Sequence, residues 1–326
     1  MDKPLGRRGG RRRRGRTGPP VLAALDLGTN NCRLLIATAG RDGGLRVVDS
    51  FSRIVRLGEG VAKTGALSEA AMERTIEALK ICAELIRKSG ARHVRAVATE
   101  ACRRAANAEV LVARAREEAG IALSIVSAAE EARLAAIGCA PLIGAGYEGA
   151  LVFDIGGGST EAIWMQQGRV VHFVSVPLGV MSLQESSGGD FGEMRAEMRA
   201  RFADVRAEMD ALAPFDLARH HLLGTSGTVT TLAGVAMELP RYSRTRVDGS
   251  WHECTDILAV AQRLAGLDHA ARAAEGCIGL ERADLIVAGC AIFTAIHETW
   301  PCARLRVADR GLREGILREL LAGARR

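Results

Sequence analysis

One pattern occurs twice in this sequence and restricts its fold more than any other feature. Each copy consists of an apolar run, an aspartate, a glycine-containing turn and a second apolar run, and the copies begin at Leu25 and Leu151. The two aspartates, Asp26 and Asp154, are 128 positions apart, which is about the length of a domain. The sequence therefore predicts two related lobes, each opening with a strand, a turn and a strand.

The two turns have the composition of a phosphate-binding loop. Glycine lacks the Cβ that would keep an anion away from the backbone, and successive backbone N–H groups form a nest for anions. A single turn of this kind would equally fit an ordinary hairpin, and it is the second copy that favours phosphate. The predicted phosphate-binding residues of these turns are Gly28, Thr29, Asn30, Asn31, Gly156, Gly157, Gly158, Ser159 and Thr160.

The rest of the chain alternates predicted strands and helices in an order that also repeats. Three strands come first in each half, and alternating helices and strands follow them. Helical spacing of apolar residues predicts long helices over 68–88, 190–212 and 282–299. A dinucleotide-binding domain would alternate strictly and carry G-x-G-x-x-G on its first turn, so that class is excluded. A third turn that opens a helix contains Gly224, Ser226, Gly227 and Thr228.

The net charge of +6 comes from the N-terminus alone. Residues 1–20 hold eight basic side chains and one acid, so this tail carries +7 and the remainder −1. A tail of Arg and Gly cannot bury a core, and it is expected to be disordered. It is either a nucleic-acid-binding or polyanion-binding segment or a solvated extension.

Cysteine usage and hydropathy indicate where the protein works. The eight cysteines have no C-x-x-C spacing, which predicts free, buried thiols and a reducing cytoplasm. No membrane segment is expected, since the uncharged run over 134–147 contains Pro141 and three glycines and is too short to span a bilayer.

Five motifs in a fixed order resemble one family. They are Asp26-x-Gly-Thr-Asn-Asn-x-x-Arg33, Glu130-Glu131-Ala-Arg133, Asp154-Ile-Gly-Gly-Gly-Ser-Thr-Glu161, Gly224-Thr-Ser-Gly-Thr228 and Asp309-Arg-Gly-Leu-Arg-Glu-Gly315. Together they resemble the exopolyphosphatase/guanosine pentaphosphate phosphohydrolase (Ppx/GppA) family in its short, two-lobe form. The first turn departs from the usual Gly-Ser-Asn-Ser of the family but keeps polar donors.

The resemblance implies an α/β fold of the actin/Hsp70/sugar-kinase (ribonuclease H-like) type. Two duplicated lobes with mixed β-sheets would then surround a phosphate cleft. We expect a basic tail over 1–20, lobe I over 21–140, lobe II over 141–308 and a C-terminal helix over 309–326 that packs back on lobe I. The fold is also compatible with a homodimer.

The resemblance and phosphate chemistry together assign the site residues. Glu131 matches the family's catalytic base, whereas Glu130 fits a capping box that starts at Ser127. Arg33 and Arg103 are expected to be catalytic as well, since their guanidinium groups suit bidentate contact with phosphate oxygens and Arg103 matches the arginine of the family. Hard oxygen ligands for Mg²⁺ are predicted at Asp26, Asp154 and Glu161. A further group of arginines either lines a polyanion's path or lies on solvated faces: Arg53, Arg56, Arg244, Arg246 and Arg310.

The leading functional hypothesis is hydrolysis of the terminal phosphate of inorganic polyphosphate by water that Glu131 activates, assisted by Mg²⁺. The sequence equally allows guanosine pentaphosphate as the substrate, because the third turn could hold inner phosphates or a guanosine group. Less favoured alternatives are an ATP-dependent phosphotransferase of the same fold and a nucleic-acid-associated binding protein that acts through the tail.

Overall fold

The computed structural model describes residues 19–40 and 44–324. The predicted tail therefore lies, up to residue 18, outside the described residues. The first lobe is built on the strands β1 (Val21–Leu27), β2 (Asn31–Ala39), β3 (Leu45–Ile54), β4 (His93–Ala98) and β5 (Leu123–Ile125). Its helices are α1 (Val61–Thr64), α2 (Glu69–Ser89), α3 (Glu100–Arg104), α4 (Ala108–Ala119) and α5 (Ala128–Cys139).

The second lobe follows a 3-10 turn at Ala140–Leu142. Its strands are β6 (Gly149–Ile155), β7 (Thr160–Gln166), β8 (Arg169–Val176), β9 (His220–Thr225), β10 (Trp251–Glu253) and β11 (Arg304–Ala308). Its helices are α6 (Val180–Ser186), α7 (Phe191–Leu212), α8 (Ser226–Ala236), α9 (Arg244–Val247), α10 (Cys254–Gly266), α11 (His269–Ala274), α12 (Leu280–Ala283) and α13 (Ile286–Thr299), and α14 (Leu312–Ala324) ends the described chain.

The two sheets have equivalent strand orders, so the duplication that the repeat predicted is confirmed. The first sheet runs β3-β2-β1-β4-β5, and the second runs β8-β7-β6-β9-β11 with the short β10 added at one edge. In each lobe the first two strands are antiparallel and the fourth lies parallel to the first. Both sheets are therefore mixed, and the chain has the two-lobe architecture of the actin/Hsp70/sugar-kinase fold.

The central strands are apolar because helices cover both of their faces. One face of β1 packs with α2 and α4 around Leu25 and Leu79, and the other packs with α14 around Leu22 and Ile316. In the second lobe α7 contributes a buried face that includes Met194, and it packs against α13. The two glycine turns are thereby held at the ends of strands that cannot shift.

Two helices that face each other connect the lobes. Helix α5 is the last element of the first lobe, and α14 returns from the second lobe to pack on α5, β1 and β2. Glycines allow the close contact: a Cβ on Gly315 would lie 2.0 Å from the carbonyl oxygen of Leu134, and one on Gly138 would lie 2.1 Å from that of Gly311. Helix α5 is thus fixed by close backbone contacts at Leu134 and Gly138, beyond its first turn.

Helix starts follow local capping chemistry. Ser68 and Ser127 accept hydrogen bonds from the backbone nitrogens of Ala71 and Glu130, as N-cap serines do. The predicted helix over 282–299 is wrong at its start, because Asp284 and Leu285 interrupt it between α12 and α13. This interruption turns neighbouring side chains towards the space between the lobes.

All eight cysteines are free and buried, which confirms the expectation from their spacing. Within 19–40 and 44–324, no helix has the length and apolar character needed to cross a membrane.

Candidate active site

A cleft open to solvent lies between the lobes, where the turns after β1 and β6 face each other. It brings together residues that are far apart in the sequence. The predicted site residues that line it are Asp26, Gly28, Thr29, Asn30, Asn31, Arg33, Glu131, Asp154, Gly156, Gly157, Gly158, Ser159, Glu161, Ser226, Gly227 and Thr228.

The first turn is closed by its own backbone. The Gly28 nitrogen donates to the carbonyl oxygen of Asn31 at 2.9 Å, so the turn between them is fixed. Oδ1 of Asn30 is buried and has no hydrogen-bond partner. A buried acceptor without a partner costs free energy, and a ligand in the cleft would remove that cost.

The second turn repeats this closure, since the Gly156 nitrogen donates to the carbonyl oxygen of Ser159 at 2.9 Å. It also approaches the first turn closely: a Cβ on Gly157 would lie 3.0 Å from the Cβ of Thr29. Glycine at position 157 lets the two turns touch without displacing Thr29. The cleft is therefore lined by glycine turns from both lobes, whose backbone N–H groups are candidate donors to a phosphate group.

The third turn lies across the cleft and is strained. Ser226 has a φ of 96°, a conformation that non-glycine residues rarely adopt. Its Oγ is buried without a hydrogen-bond partner. A Cβ on the next residue, Gly227, would lie 3.4 Å from Nη2 of Arg33, so this arginine stands between the first and third turns. Strain and an unpartnered hydroxyl at one residue are typical of ligand-binding positions.

The four carboxyl groups that the sequence assigned to the site all line the cleft, and their surroundings raise the pKa of each. Burial is the main cause at Asp26, and Arg33 opposes it. Burial and the neighbouring charge of Glu161 raise the pKa of Asp154 to about 7, again against Arg33. Burial raises the pKa of Glu161, although hydrogen bonds from serines, including one of 2.7 Å from Ser175, oppose the shift. This excess of buried negative charge favours a cation in the cleft.

Glu131 lies in the first turn of α5 and is largely buried. Burial and then the charge of Glu161 hold its pKa well above the ordinary value, against the effect of Arg103. Nη1 of Arg103 donates to Oε2 of Glu131 at 2.6 Å, and its Nε and Nη2 donate to Oε2 of Glu100 at 3.1 and 2.8 Å. Glu131 is therefore an oriented carboxylate with raised basicity, as general-base catalysis requires.

The donor chemistry fits a divalent cation that substrate helps to bind. Among the residues described, no three His, Cys, Asp or Glu side chains converge closely enough to hold a metal ion by themselves. Asp26, Asp154 and Glu161 are hard oxygen donors in one cleft. Mg²⁺ commonly takes one or two carboxylates and completes its shell with water and phosphate oxygens. The cleft matches that pattern rather than a protein-only cage.

Three predicted site residues do not line the cleft. The hydroxyl of Thr160 is buried and donates to the carbonyl oxygen of Leu178 at 2.8 Å. Gly224 lies against the ring of Phe153, which a Cβ would approach to 2.5 Å, so it allows packing. Arg103 does not line the cleft itself, but it donates to two carboxylates that do, those of Glu131 and Glu100.

Sequence reasoning missed other residues that line the cleft: Thr99, Glu100, Val180, Thr231, Arg282, Leu285 and Ile286. Nη1 of Arg282 donates to Oγ1 of Thr231 at 3.0 Å. No local pattern distinguishes Arg282 from an exposed helix arginine, and only the break in the predicted helix directs it inward. Glu100 could have been found, because it lies one helical turn before Arg103.

Two of the five arginines that could have lined a polyanion's path instead form ion pairs with carboxylates outside the cleft. Arg310 pairs with Asp248, and Nη2 of Arg244 donates to Oε1 of Glu314 at 2.7 Å. These pairs hold the loop before α14 in place.

Comparison with known proteins assigns this arrangement to a family. The model of the Ppx/GppA phosphatase family matches residues 36–323, which is most of the chain. The chain belongs to the Ppx/GppA phosphatase family. Exopolyphosphatase 2 of Mycobacterium tuberculosis is 34% identical to this Ppx/GppA protein over 310 residues, which cover 90% of this chain and 97% of the relative.

Relatives of a second kind match as well. Guanosine-5'-triphosphate,3'-diphosphate pyrophosphatase of Aeromonas hydrophila is 29% identical over 304 residues, which cover 93% of this Ppx/GppA chain and 60% of that relative. A solved Ppx/GppA structure from Aquifex aeolicus has a TM-score of 0.78 at 29% identity, and the match covers 95% of this chain and 100% of that chain. An exopolyphosphatase structure from Cytophaga hutchinsonii shares the fold, with a TM-score of 0.83 at 24% identity over 93% of this chain and 98% of its own.

As a member of the Ppx/GppA family, the protein is a phosphoanhydride hydrolase. Phosphatases of this family are generally dependent on a divalent metal.

Proposed function

We propose that this enzyme releases the terminal orthophosphate of inorganic polyphosphate. The observation that carries the proposal is the position of Glu131: a buried carboxylate of raised pKa, facing a cleft formed by glycine turns from both lobes. The similarity to an exopolyphosphatase supports polyphosphate as the substrate class, since the two chains are 34% identical and the match covers 97% of that relative.

The proposed role of Glu131 is to accept a proton from the attacking water. A carboxylate with a raised pKa is a stronger base near neutral pH than an ordinary glutamate. Arg103 fixes the side chain through the 2.6 Å hydrogen bond to Oε2 and leaves Oε1 to receive the proton. The buried surroundings limit competition from bulk water.

The turns and Arg33 would hold the phosphate that leaves. Backbone N–H groups of the first two turns can donate to its oxygens, and Arg33 can donate from the side of the third turn. Such donors are fixed before the reaction and stabilise charge where it develops.

We propose Mg²⁺ as the metal, held by Asp26, Asp154 and Glu161, one or two of them directly and the rest through water, together with phosphate oxygens. When bound, it would neutralise negative charge on the phosphate oxygens as the P–O bond breaks. The raised pKa of these carboxyl groups supports this role, because burial destabilises their ionised forms and a nearby cation would stabilise them.

Guanosine pentaphosphate is the second candidate substrate, and one observation favours it. Arg282 and Thr231 line the cleft as well, and they belong to neither of the two glycine turns that would hold the terminal phosphate. These groups could contact a nucleotide as well as further phosphates. The Aeromonas hydrophila relative supports this reading, although this chain spans 60% of its length.

Initial rates of phosphate release test the choice between the two substrates. Long-chain polyphosphate and guanosine pentaphosphate are each supplied with Mg²⁺ and with an excess of chelator. We expect a higher kcat/KM on polyphosphate and loss of release on both substrates without the metal. A kcat/KM on guanosine pentaphosphate that exceeds the value on polyphosphate would reverse the assignment.

We propose a cytoplasmic location from the eight buried thiols, which a reducing compartment keeps free. We propose lobe boundaries near residues 140 and 308, since α5 and β11 end there and α14 then packs on β1.

A further inference from the structure

An ion pair crosses the rim of the cleft from one lobe to the other. Nη2 of Arg56, in the loop after β3, lies 3.9 Å from Oδ2 of Asp284, which interrupts the helix between α12 and α13. The two side chains remain 42% and 54% exposed. An exposed pair at this separation contributes little to stability, so it can exchange readily for another partner.

The backbone of Arg56 is tied to the first phosphate turn. The nitrogens of Val55 and Arg56 both donate to the carbonyl oxygen of Asn30, at 2.9 and 3.0 Å. Arg56 also has a φ of 47°, in the left-handed region that glycine adopts without cost. A non-glycine residue held in this conformation beside a binding turn is a reason to look for a role of its side chain.

Asp284 lies next to residues of the opposite lobe that line the cleft. Its neighbours in sequence, Arg282 two positions before and Leu285 directly after, both line the cleft. Its Oδ1 lies 3.0 Å from Nε2 of His269, which leaves Oδ2 to face Arg56. Asp284 therefore has a partner in its own lobe that holds it when Arg56 leaves.

We propose that Arg56 determines specificity by contacting phosphates inside the terminal one, and that Asp284 holds its guanidinium before substrate binds. The inference rests on the proposed function, because it needs a chain of phosphates in the cleft. On binding, the guanidinium exchanges one carboxylate oxygen for phosphate oxygens, to which it can donate two parallel hydrogen bonds.

Two substitutions test the exchange because they should act in opposite directions. Arg56→Gly removes the side chain and suits the local backbone, and we expect it to raise KM for long-chain polyphosphate about tenfold, as loss of one charge-assisted contact does. Asp284→Asn removes the competing carboxylate, and we expect KM to fall by about threefold. In both variants kcat should stay within about twofold of the wild-type value. A merely structural ion pair would give changes in the same direction.

The double variant separates exchange from simple repulsion. If Asp284 acts by holding Arg56, then Asp284→Asn has no further effect on KM when Arg56→Gly is already present. If Asp284 instead repels the substrate directly, its effect persists in the double variant, and that result would overturn the proposal. Arg92→Gly is the matched control, because its backbone nitrogen bonds to Val21 at the opposite end of β1, and we expect an unchanged KM.

Calorimetric binding of polyphosphate distinguishes failure of the inference from failure of the proposed function. Absence of phosphate release by the wild-type enzyme would contradict the function. Equal polyphosphate affinity of the wild-type and Arg56→Gly proteins would contradict the role of Arg56, whatever the outcome of the activity assay.

Discussion

At the scale of single residues, the two copies of the repeat differ at one position that matters for chemistry. Asp26 faces Arg33 across β1 and β2, whereas Asp154 faces Glu161 at the equivalent place on β6 and β7. The first lobe therefore offers a cation beside its carboxylate, and the second offers another carboxylate. We infer that the first lobe mainly contacts phosphate and the second mainly contacts the metal.

A buried histidine gives a prediction about stability. The Gly144 nitrogen donates to Nε2 of His221 at 3.2 Å, and Nδ1 lies 2.8 Å from the carbonyl oxygen of Leu222, so the neutral ring satisfies both contacts. Burial lowers the pKa of His221 from 6.5 to about 4. Between these values the unfolded chain binds a proton that the folded protein does not, so stability falls as pH falls through this window.

We expect His221 alone to remove about 2 kcal/mol of unfolding free energy between pH 7 and pH 5. Urea unfolding at the two pH values measures the loss. His221→Gln keeps an acceptor for Gly144 and does not titrate, so its stability should depend less on pH by that amount. An identical pH dependence in the two proteins would contradict the assignment.

The sequence predicts a site residue well when the role of that residue depends on its neighbours in the chain, and poorly when it depends on tertiary contacts. Glycines of a turn and the capping Ser127 act within a few residues of their own position, so their patterns are visible in the sequence. Thr160 and Gly224 belong to the same motifs, but tertiary packing directs them into the interior. Arg282 reaches the cleft only through the relative placement of distant helices, which no local pattern encodes.

At the scale of elements, the crossing of α5 and α14 controls the position of Glu131. Gly315→Ala would place a methyl group 2.0 Å from the carbonyl oxygen of Leu134, and neither backbone can turn away. We expect a loss of about 2 kcal/mol of stability, as overpacking generally causes. We also expect a lower kcat, because α5 carries the base. Thermal unfolding and phosphate release measure the two effects.

Gly323→Ala is the control on the same helix. A Cβ there meets nothing within 4 Å, and alanine favours helix over glycine by up to about 1 kcal/mol. The variant should be as stable as the wild type or more so, with unchanged kcat. If both variants behaved alike, close packing at Gly315 would not be the cause.

The long helices were predictable because many apolar residues in each of them follow the same helical spacing. The helix that Ser68 caps was expected to end near Lys88, and it ends at Ser89. The short helix α6 and the strand β10 were not expected, since elements of a few residues depend on packing rather than on periodicity. The break at Asp284 was missed for the same reason, and it is the feature that forms the rim of the cleft.

At the scale of the whole molecule, the lobes meet at their glycine turns. Gly157→Ala would bring a methyl group to 3.0 Å from the Cβ of Thr29 in the other lobe. A small separation of the turns should misplace the terminal phosphate relative to Glu131, so we expect kcat to fall about tenfold or more. The melting temperature should change little, because each lobe keeps its own core. Gly146→Ala, which meets nothing within 4 Å, should have no effect on kcat.

We propose that Glu131 activates the attacking water in a cleft that both lobes form. The neighbouring acid provides a matched control: Glu130 is held by Arg95 at 2.7 Å and by Arg133, and these hydrogen bonds lower its pKa to about 2 despite partial burial. Glu130 is therefore a structural acid one position away from the proposed base.

The most direct test is the rate of phosphate release from polyphosphate by Glu131→Gln beside Glu130→Gln. Loss of a general base typically lowers the rate by about 10²–10⁴-fold, and we expect Glu131→Gln to lose kcat in that range, with KM nearly unchanged and the fold intact. Glu130→Gln should keep most of its activity. A Glu131→Gln enzyme whose kcat stays within about tenfold of the wild-type value would contradict the account.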